Sequence, residues 1–273
     1  MKISLIISVY NRADFLKKVL ASITRLNRKP DELIIAEDGK FPEIENAIKE
    51  WKEIFNFPVV HLSQEDKGNR KTLAVNRAVA HSSYPYLVFI DGDCILHRDF
   101  LAEHEKAASE GYFLTGRRVE LSEKASRYLA PDRIQEGYLE DFPLYLYIDA
   151  LFGKTHHLGR FFKCPKWALN LLKQSNVLDI RGCNLSLWRS DFMAVNGYSN
   201  DFSGAYGEDS DLEYRLRNYG VKMKSVRGRA LQYHLWHAQQ EKDQENQIKL
   251  TKVKVASTFY TSNGLREIDQ LPS

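Results

Sequence analysis

Two carboxylates separated by a single glycine follow an apolar segment in the first half of the chain. Asp91-Gly92-Asp93 comes directly after residues 86–90, whose composition is that of a buried strand. Oxygen ligands at this spacing can hold a divalent cation, and such a cation would neutralise a diphosphate. The alternative is a surface turn, because Asp-Gly is a common turn pair. The preceding strand favours the cation site, since ligands collect at the carboxyl ends of such strands.

Two histidines three residues apart form a second candidate for metal ligation. In His234-Leu235-Trp236-His237, a helical turn would place both imidazoles on one side. Neutral imidazole is a common ligand of transition metals, which makes the pair a candidate ligand set. The alternative is a pair of ordinary surface or core histidines. A further pair, His156-His157, is interpreted as structural.

A third acidic cluster, Gly207-Glu208-Asp209-Ser210-Asp211, precedes a segment of helical spacing. Acidic residues at a helix start complement the dipole and cap free amides, and this explains part of the cluster. The two glycines in residues 203–207 favour a close approach to a ligand instead. A carboxylate placed there would serve as a general base toward a hydroxyl nucleophile.

The first half of the chain alternates apolar segments with segments of helical spacing. The predicted strands are residues 2–9, 31–36, 59–63 and 86–90, and the predicted helices are residues 11–25, 41–55 and 69–81. This order predicts a parallel sheet wrapped by helices, in which the carboxyl ends of the strands share one rim. Asp38 and Asp91 both follow strands, so the topology brings their carboxylates toward that rim.

The second half of the chain is less regular. Strands are predicted over residues 112–119 and 179–188, one or two more over 221–233, and a helix over 209–219 that ends at Gly220. Residues 239–247 are polar, which is typical of a loop or an exposed helix. No internal repeat, proline-rich linker or low-complexity tract divides the chain, so a single domain is the simplest interpretation.

The composition is that of an ordinary globular protein. Of 273 residues, 43% are hydrophobic and 27% are charged, which excludes extensive disorder, collagen and coiled coils. A net charge of +3 is too small to indicate binding to nucleic acid. The three cysteines form no CxxC motif and cannot all pair, which suits a reducing compartment. No apolar run approaches the roughly 20 residues that span a bilayer, and Tyr10-Asn11-Arg12 interrupts the N-terminal run too early for a signal peptide. We therefore expect a cytoplasmic protein.

Five motifs in this order resemble those of a known family. They are Ser8-Val9-Tyr10-Asn11, Glu37-Asp38-Gly39, Asp91-Gly92-Asp93, the Gly207–Asp211 cluster and the His234/His237 pair. Together they resemble family 2 glycosyltransferases of the GT-A fold, and the second half is most similar to galactosyltransferase-like and chondroitin-polymerase-like members. The resemblance implies one α/β domain over residues 1–240, with a mostly parallel sheet flanked by helices. Its nucleotide-binding half would be 1–119 and its elaborated acceptor and catalytic half 120–240, followed by a tail, 241–273, that is a candidate lid.

The resemblance also implies a role for individual residues. A metal ion would bind Asp93 and His237, with His234 as a further ligand as in some relatives. Asp209 would be the catalytic base, and Glu208 would bind donor or acceptor hydroxyls. The residues implied in nucleotide and donor binding are Val9, Tyr10 and Asn11 in the first loop, Asp38 at the nucleobase, and Asp91 at the ribose or donor sugar.

Three further segments are weaker candidates. After the third strand, Arg70 or Lys71 would contact a phosphate, although a solvated charged turn explains them equally well. Gly182 and Asn184 match a polar stretch that lines the donor-sugar pocket in similar enzymes. Residues 151–172 mix aromatic and basic side chains, which suits either an anionic membrane surface or an acceptor-side insertion packed on the domain.

The function that this resemblance implies is metal-dependent, inverting transfer of a sugar to a hydroxyl of a glycan or lipid-linked glycan acceptor. The donor would be a nucleotide-sugar, with UDP-Gal, UDP-GalNAc, UDP-Glc and UDP-GlcNAc as the candidates. Imidazole ligands favour Mn²⁺ over Mg²⁺. The setting implied is bacterial surface polysaccharide or lipopolysaccharide synthesis, in the cytoplasm or peripherally at the inner face of the membrane.

Two other functions fit parts of the pattern. A nucleotidyltransferase also uses carboxylates, a cation and a parallel sheet, but it usually has a glycine-rich loop after the first strand, and residues 9–12 contain no glycine. A non-catalytic module that binds nucleotide-sugars would keep Asp38 and Asp93. The presence of Glu208, Asp209 and both late histidines counts against that second alternative.

Overall fold

Strands and helices alternate through the first half of the computed structural model, which describes residues 1–140, 148–149, 179–204, 206–238 and 243–270. The elements are β1 (Ile3–Val9), α1 (Ala13–Ile23), β2 (Glu32–Glu37), α2 (Pro42–Lys52), β3 (Val59–Ser63), α3 (Lys71–His81) and β4 (Tyr86–Asp91). Ile, Leu and Val dominate β1, β2 and β4 and are buried on both faces, as in parallel sheets. Helix α2 begins with Pro42, whose missing N–H costs nothing there, and it ends with Lys49 and Lys52 near the negative end of the helix dipole.

The second half adds shorter elements around this frame. They are β5 (Cys94–Leu96), α4 (Phe100–Ala107), β6 (Tyr112–Thr115), β7 (Val119–Glu120), α5 (Glu123–Tyr128), α6 (Pro131–Gln135), β8 (Leu185–Trp188), α7 (Arg189–Ala194), α8 (Glu208–Asn218), β9 (Lys222–Ser225), β10 (Gln232–His234) and α9 (Gln244–Ala256). Two short 3-10 segments, Gly182–Asn184 and Leu265–Gln270, complete the described chain.

Two predicted strands differ from the structure. Residues 112–119 contribute to two strands, β6 and β7, which belong to different sheets and are separated by residues 116–118. Residues 179–188 contain the 3-10 segment Gly182–Asn184, and the strand is confined to β8.

The sequence predicts a loop or an exposed helix over residues 239–247, and α9 begins within this range at Gln244. Asp243 caps the helix by accepting the backbone N–H groups of residues 245 and 246.

The strands form a seven-stranded sheet in the order β3-β2-β1-β4-β8-β6-β9 and a three-stranded sheet in the order β5-β10-β7. In the large sheet β3, β2, β1 and β4 are parallel, and β8 runs antiparallel to both β4 and β6. The parallel ladder brings Val9 beside Glu37, and Ser8 beside Asp91, at the carboxyl edge. The topology therefore confirms the predicted rim.

Apolar side chains fill the space on both faces of the large sheet. One face is covered by α1 and α2, with Leu16, Leu20 and Trp51 buried against it. The other face is covered by α3 and α8, with Val79 and Leu216 among the buried residues. Burial of each such side chain stabilises the fold by roughly 1.5–3 kcal/mol, so the sheet is a rigid base for the loops at its carboxyl edge.

The C-terminal segment packs against the loop after α7. Asn196 takes a left-handed conformation (φ 64°), its amide donates to the carbonyl of Thr261 at 2.8 Å, and its own oxygen accepts the N–H of Arg266 at 2.9 Å. Leu265 enters the core on the α3 side of the sheet. The part of the candidate lid from Thr261 to Arg266 is therefore packed on the domain.

Candidate active site at the carboxyl edge of the sheet

Three side chains converge on one point beyond the end of β4. Asp93 Oδ2 lies 3.3 Å from His234 Nε2 and 3.2 Å from His237 Nε2, and the two Nε2 atoms are 3.1 Å apart. Among the residues that the structure describes, this is a group of three side chains whose ligand atoms are close enough to share one metal ion. The structure thus brings together the three residues that the sequence proposes as metal ligands.

The small sheet explains how distant segments meet there. In strand β10, His234 pairs with Cys94 of β5 on one side and with Glu120 of β7 on the other. Leu235 then donates its backbone N–H to the carbonyl of Asp93 at 2.9 Å, which fixes the chain directly after the strand. The two imidazoles meet without a helical turn, because His234 ends a strand and His237 lies in the loop that follows.

The charges of these three groups depend on each other. Burial by itself would raise the pKa of Asp93, but the hydrogen bonds from His234 and His237 lower it well below its ordinary value. Burial would lower the pKa of His234, yet hydrogen bonds to Asp93 and Glu120 raise it to about 9. The carboxylates thus favour positive charge at this point, whether a proton or a metal ion supplies it.

The donor atoms fit a divalent cation. His237 Nδ1 lies 2.8 Å from the carbonyl oxygen of Ala238, and both rings present Nε2 to the cluster. His234 Nδ1 lies 2.7 Å from Glu120 Oε2, an ion-pair contact that is not aligned as a hydrogen bond. Ligand atoms that meet at right angles around an ion, with bonds of about 2.1 Å, stand about 3.0 Å apart. The three observed separations are close to that value.

The predicted catalytic carboxylates lie at the first turn of α8. Gly207 precedes them with φ 109°, a conformation that L side chains rarely adopt, and this starts the helix abruptly. Asp209 Oδ2 accepts the backbone N–H of Gly182 at 2.8 Å, and its Oδ1 accepts the hydroxyl of Tyr198 at 3.2 Å. Asp209 is therefore held in one orientation by two donors.

Glu208 lies in a different electrostatic environment from its neighbour. Burial and the charge of Asp209 raise the pKa of Glu208 to about 7, while Lys71 opposes the shift. Lys71 Nζ donates to Asp91 Oδ1 at 2.7 Å, and that same oxygen accepts the hydroxyl of Ser8 at 2.9 Å. Burial would lower the pKa of Lys71, but Asp91 and the carboxylates of α8 raise it, so the lysine stays charged. Lys71 thus forms an ion pair at the end of β4, and its positive charge also interacts electrostatically with the carboxylates at the start of α8.

Asp38, the residue proposed to contact the nucleobase, directly follows β2 at the carboxyl edge of the sheet. Asp38 is buried, its Oδ1 accepts the side-chain amide of Gln64 at 2.7 Å, and its Oδ2 accepts the backbone N–H of Arg70 at 2.6 Å. Burial raises the pKa of Asp38, and these two donors oppose the rise. The exposed ring of Tyr10 packs edge-on against Phe41, with ring centroids 5.3 Å apart, and offers a flat apolar surface beside Asp38.

The structure gives the positions and contacts of four more residues proposed to bind the nucleotide or the donor. Val9 is buried, and its carbonyl accepts the N–H of Asp38, so only its backbone belongs to the rim. The Arg70 guanidinium donates to the carbonyl of Glu65 rather than to the acidic cluster, which Lys71 reaches instead. Asn11 is exposed with φ 44°. Asn184 lies in the interior, where its amide donates to the carbonyls of residues 117 and 230 and its oxygen contacts His104 Nε2.

The structure adds Glu120 and Tyr198 to the site and gives Lys71 a central position. Sequence spacing carries no information on Glu120, because its partner His234 is more than a hundred residues away and is reached through strand register. Tyr198 likewise meets Asp209 only because the loop after α7 folds back onto α8. The sequence proposes Lys71 as an alternative to Arg70 for a phosphate contact, and the structure pairs its ammonium with Asp91.

The basic aromatic segment 151–172 lies outside the described residues, so its proposed membrane contact stays a prediction. Within the described ranges, no helix has both the length and the apolar composition needed to cross a membrane.

Solved structures with the same fold hold nucleotides. The mannosyltransferase PcManGT from Pyrobaculum calidifontis, in complex with GDP-Man and Mn²⁺, superposes with a TM-score of 0.58 at 13% identity, over 94% of this chain and 69% of that chain. Residues 1–349 of S. aureus TarS, in complex with UDP, superpose with a TM-score of 0.60 at 13% identity, over 99% and 69%. At these identities the likeness concerns the fold alone, and it confirms the predicted GT-A class.

Sequence comparison agrees with the structural likeness. Chondroitin synthase of Escherichia coli is 24% identical over 244 residues, which cover 85% of this chain and 34% of the relative. The chain spans about half the length, or less, of the curated relatives that match more than four fifths of it. The model described as N-terminal domain of galactosyltransferase matches residues 170–238, and the model described as glycosyl transferase family 2 matches residues 4–165. Since the latter match covers more than half of the chain, the protein belongs to glycosyl transferase family 2.

Proposed function

We propose that this protein is a metal-dependent, inverting glycosyltransferase that moves a sugar from a nucleotide donor to a hydroxyl of a glycan. The observation that carries the proposal is the convergence of Asp93, His234 and His237 on one point. Lys71 pairs with the adjacent Asp91, and its pKa is raised by the carboxylates of α8, which supports a candidate base near the same rim. A cation site and a base are the two parts that such a transfer needs.

The donor diphosphate would bind at the Asp93–His234–His237 cluster. A divalent cation held there supplies Lewis-acid stabilisation of the charge that develops on the leaving diphosphate. Two imidazole ligands favour Mn²⁺ over Mg²⁺, because transition metals accept nitrogen ligands more readily. Lys71 holds the carboxylate of Asp91, so that Asp91 is positioned to accept hydrogen bonds from the ribose or the donor sugar.

We assign the proton transfer to Asp209. The acceptor hydroxyl gives its proton to Asp209 while its oxygen forms the new bond to the anomeric carbon. The bond from that carbon to the diphosphate oxygen breaks on the opposite face, so the configuration inverts. Gly182 and Tyr198 hold the carboxylate in place, and Glu208, whose pKa is about 7, would bind acceptor or donor hydroxyls.

The donor is proposed to be a UDP-sugar, and the acceptor a bacterial surface glycan or its lipid-linked form. A complex of TarS with UDP shows that the fold accepts a uridine nucleotide, whereas the complex of PcManGT holds GDP-Man. The match to chondroitin synthase supports a glycan acceptor. Asp38 and Tyr10 are proposed to contact the nucleobase. We propose that the protein acts in the cytoplasm or peripherally at the inner face of the membrane.

A donor screen tests this proposal. The full chain is incubated with UDP-Gal, UDP-GalNAc, UDP-Glc, UDP-GlcNAc or GDP-Man, with Mn²⁺ or with EDTA, and nucleotide release is followed. We expect release from one UDP-sugar that requires Mn²⁺, together with binding of that donor by calorimetry. Binding of none of the five donors, measured on the same folded samples, would contradict the glycosyltransferase assignment.

A further inference from the structure

We infer that Glu120 is a positioning residue for the proposed metal site, because it holds the ring of His234 in the orientation in which Nε2 can ligate the cation. No bond from Glu120 to the metal is proposed. The inference rests on the proposed metal-dependent function. It adds a residue that sequence spacing does not identify.

The geometry links Glu120 to both neighbours at once. Its Oε2 lies 2.7 Å from His234 Nδ1, and its Oε1 accepts from Arg118 Nε at 2.8 Å. The contact with His234 follows from the parallel register of β7 and β10, which pairs the two residues directly. Strand pairing therefore positions the carboxylate, and no flexible loop intervenes.

The chemistry of imidazole explains why this contact matters. A neutral imidazole carries one proton, and only the unprotonated nitrogen can ligate a metal. A carboxylate at Nδ1 keeps the proton on that nitrogen, leaves Nε2 free and increases the basicity of the ring. Among the described residues of the same site, the partner of His237 Nδ1 is the neutral carbonyl of Ala238. Glu120 thus gives His234 the stronger support of the two histidines.

The two oxygens of Glu120 have different partners. Oε1 pairs with Arg118 Nε at 2.8 Å, and Oε2 lies 2.7 Å from His234 Nδ1. A purely structural role would predict effects on stability without an effect on metal affinity.

The test is Mn²⁺ binding by the full chain in the presence of UDP, followed by the electron paramagnetic resonance of free Mn²⁺. The variants are Glu120→Gln and Glu120→Ala, with Glu123→Ala as the matched control, because Glu123 pairs only with the exposed Arg127 in the described structure. Asp93→Asn reports the loss of a proposed ligand. Circular dichroism and thermal unfolding without metal establish that each variant is folded.

We expect Glu120→Ala to weaken Mn²⁺ binding about 10–100-fold, and Glu120→Gln to weaken it less, since the amide keeps an oxygen acceptor beside Nδ1. Nucleotide release by Glu120→Ala should recover at saturating Mn²⁺, whereas a structural defect would not be rescued. Wild-type affinity in Glu120→Ala, combined with lost binding in Asp93→Asn, overturns the role of Glu120 and leaves the proposed function intact. Absence of Mn²⁺ binding by the unaltered chain, or unchanged binding by Asp93→Asn, overturns both.

Discussion

Neighbouring carboxylates in this site differ in ionisation because they face different partners. Asp93 faces two imidazoles and stays ionised, whereas Glu208 faces Asp209 and has its pKa raised to about 7. The raised pKa of Glu208 allows it to donate a hydrogen bond as well as accept one near neutral pH. At the residue scale, the two parts of the site are therefore suited to opposite tasks, cation binding and hydroxyl recognition.

Asp209→Asn should reduce sugar transfer by roughly 10²–10⁴-fold, because an amide cannot take the proton of the attacking hydroxyl. Its hydrogen-bond geometry toward Gly182 is conserved by the remaining side-chain oxygen. The measurement is initial transfer rate at saturating donor, beside thermal unfolding. Asp132→Asn is the control, since Asp132 also lies in the first turn of a helix. Near-normal transfer by a folded Asp209→Asn protein would remove Asp209 from the role of base.

The raised pKa of Glu208 predicts a pH-dependent loss of stability. The folded protein binds the proton more tightly than the unfolded chain, whose Glu pKa is near 4.5. The free energy of unfolding should therefore decrease as the pH rises from about 4.5 to about 7, and then level off. Glu208→Gln has no such proton, so its stability should decrease less over this range.

Urea unfolding in EDTA between pH 4.5 and pH 8 measures this difference. The quantity to compare is the free energy of unfolding of the unaltered chain minus that of Glu208→Gln at each pH. Parallel curves for the two proteins would show that Glu208 has an ordinary pKa in the folded state.

At the scale of elements, two contacts between distant segments build the site. The β5-β10-β7 sheet places His234 between the strand after Asp93 and the strand of Glu120. The 3-10 turn Gly182–Asn184 packs against the start of α8 and donates a backbone N–H to Asp209. The first contact forms the proposed metal site and the second orients the proposed base, so each half of the proposed chemistry depends on one tertiary packing event.

Gly182→Ala should disturb the base without affecting the metal site. A Cβ at this position would lie 2.3 Å from Asp209 Oδ1, so the carboxylate must move. We expect transfer to decrease at least about tenfold, because small displacements of catalytic groups are costly. Affinity for UDP and Mn²⁺ should change little. The measurements are kcat for transfer and Kd for UDP with Mn²⁺.

A control separates this effect from a general cost of replacing glycine. Gly220 follows the end of α8 with φ 100°, and a Cβ added there would meet no atom within 4 Å. Gly220→Ala therefore strains the backbone without touching the site. It should lower stability by about 1 kcal/mol and leave kcat unchanged. Equal loss of kcat in both variants would contradict the proposed role of the Gly182 turn.

At the scale of the whole molecule, the large sheet holds both halves of the site at one edge. The strands from β3 to β4 form the part of the sheet proposed to bind the nucleotide, and β8, β6 and β9 extend the sheet toward the proposed acceptor side. Membership of glycosyl transferase family 2 agrees with this arrangement. Ligands that bridge the edge should therefore stabilise the entire domain.

UDP and Mn²⁺ together should raise the melting temperature. At 100 times the Kd, a ligand that binds only the folded state adds about 2.7 kcal/mol, which corresponds to about 5–10 °C for a chain of this size. Differential scanning fluorimetry with UDP, with Mn²⁺, with both, and with EDTA measures the effect. Asp93→Asn should lose the part that depends on Mn²⁺. A shift by UDP that EDTA leaves unchanged would contradict a metal-bridged nucleotide.

Much of the frame follows from local sequence. The apolar runs of β1, β2 and β4 and the helical spacing between them predict a parallel sheet, because buried parallel strands need continuous apolar residues. The same order places Asp38 and Asp91 at one edge. Short motifs with a family resemblance predict the metal triad, and the structure brings its members within 3.3 Å of one another.

The sequence by itself determined the fold class, the rim and the types of residue that approach it. Only the tertiary structure decided that His234 ends a strand, that Glu120 supports its ring, that Lys71 rather than the Arg70 side chain reaches the carboxylates, and that Asn184 is interior. The physical reason is the range of the interactions. Apolar periodicity and turn preferences act over a few residues, whereas strand register and loop packing join residues a hundred positions apart, and these contacts leave no spacing in the sequence.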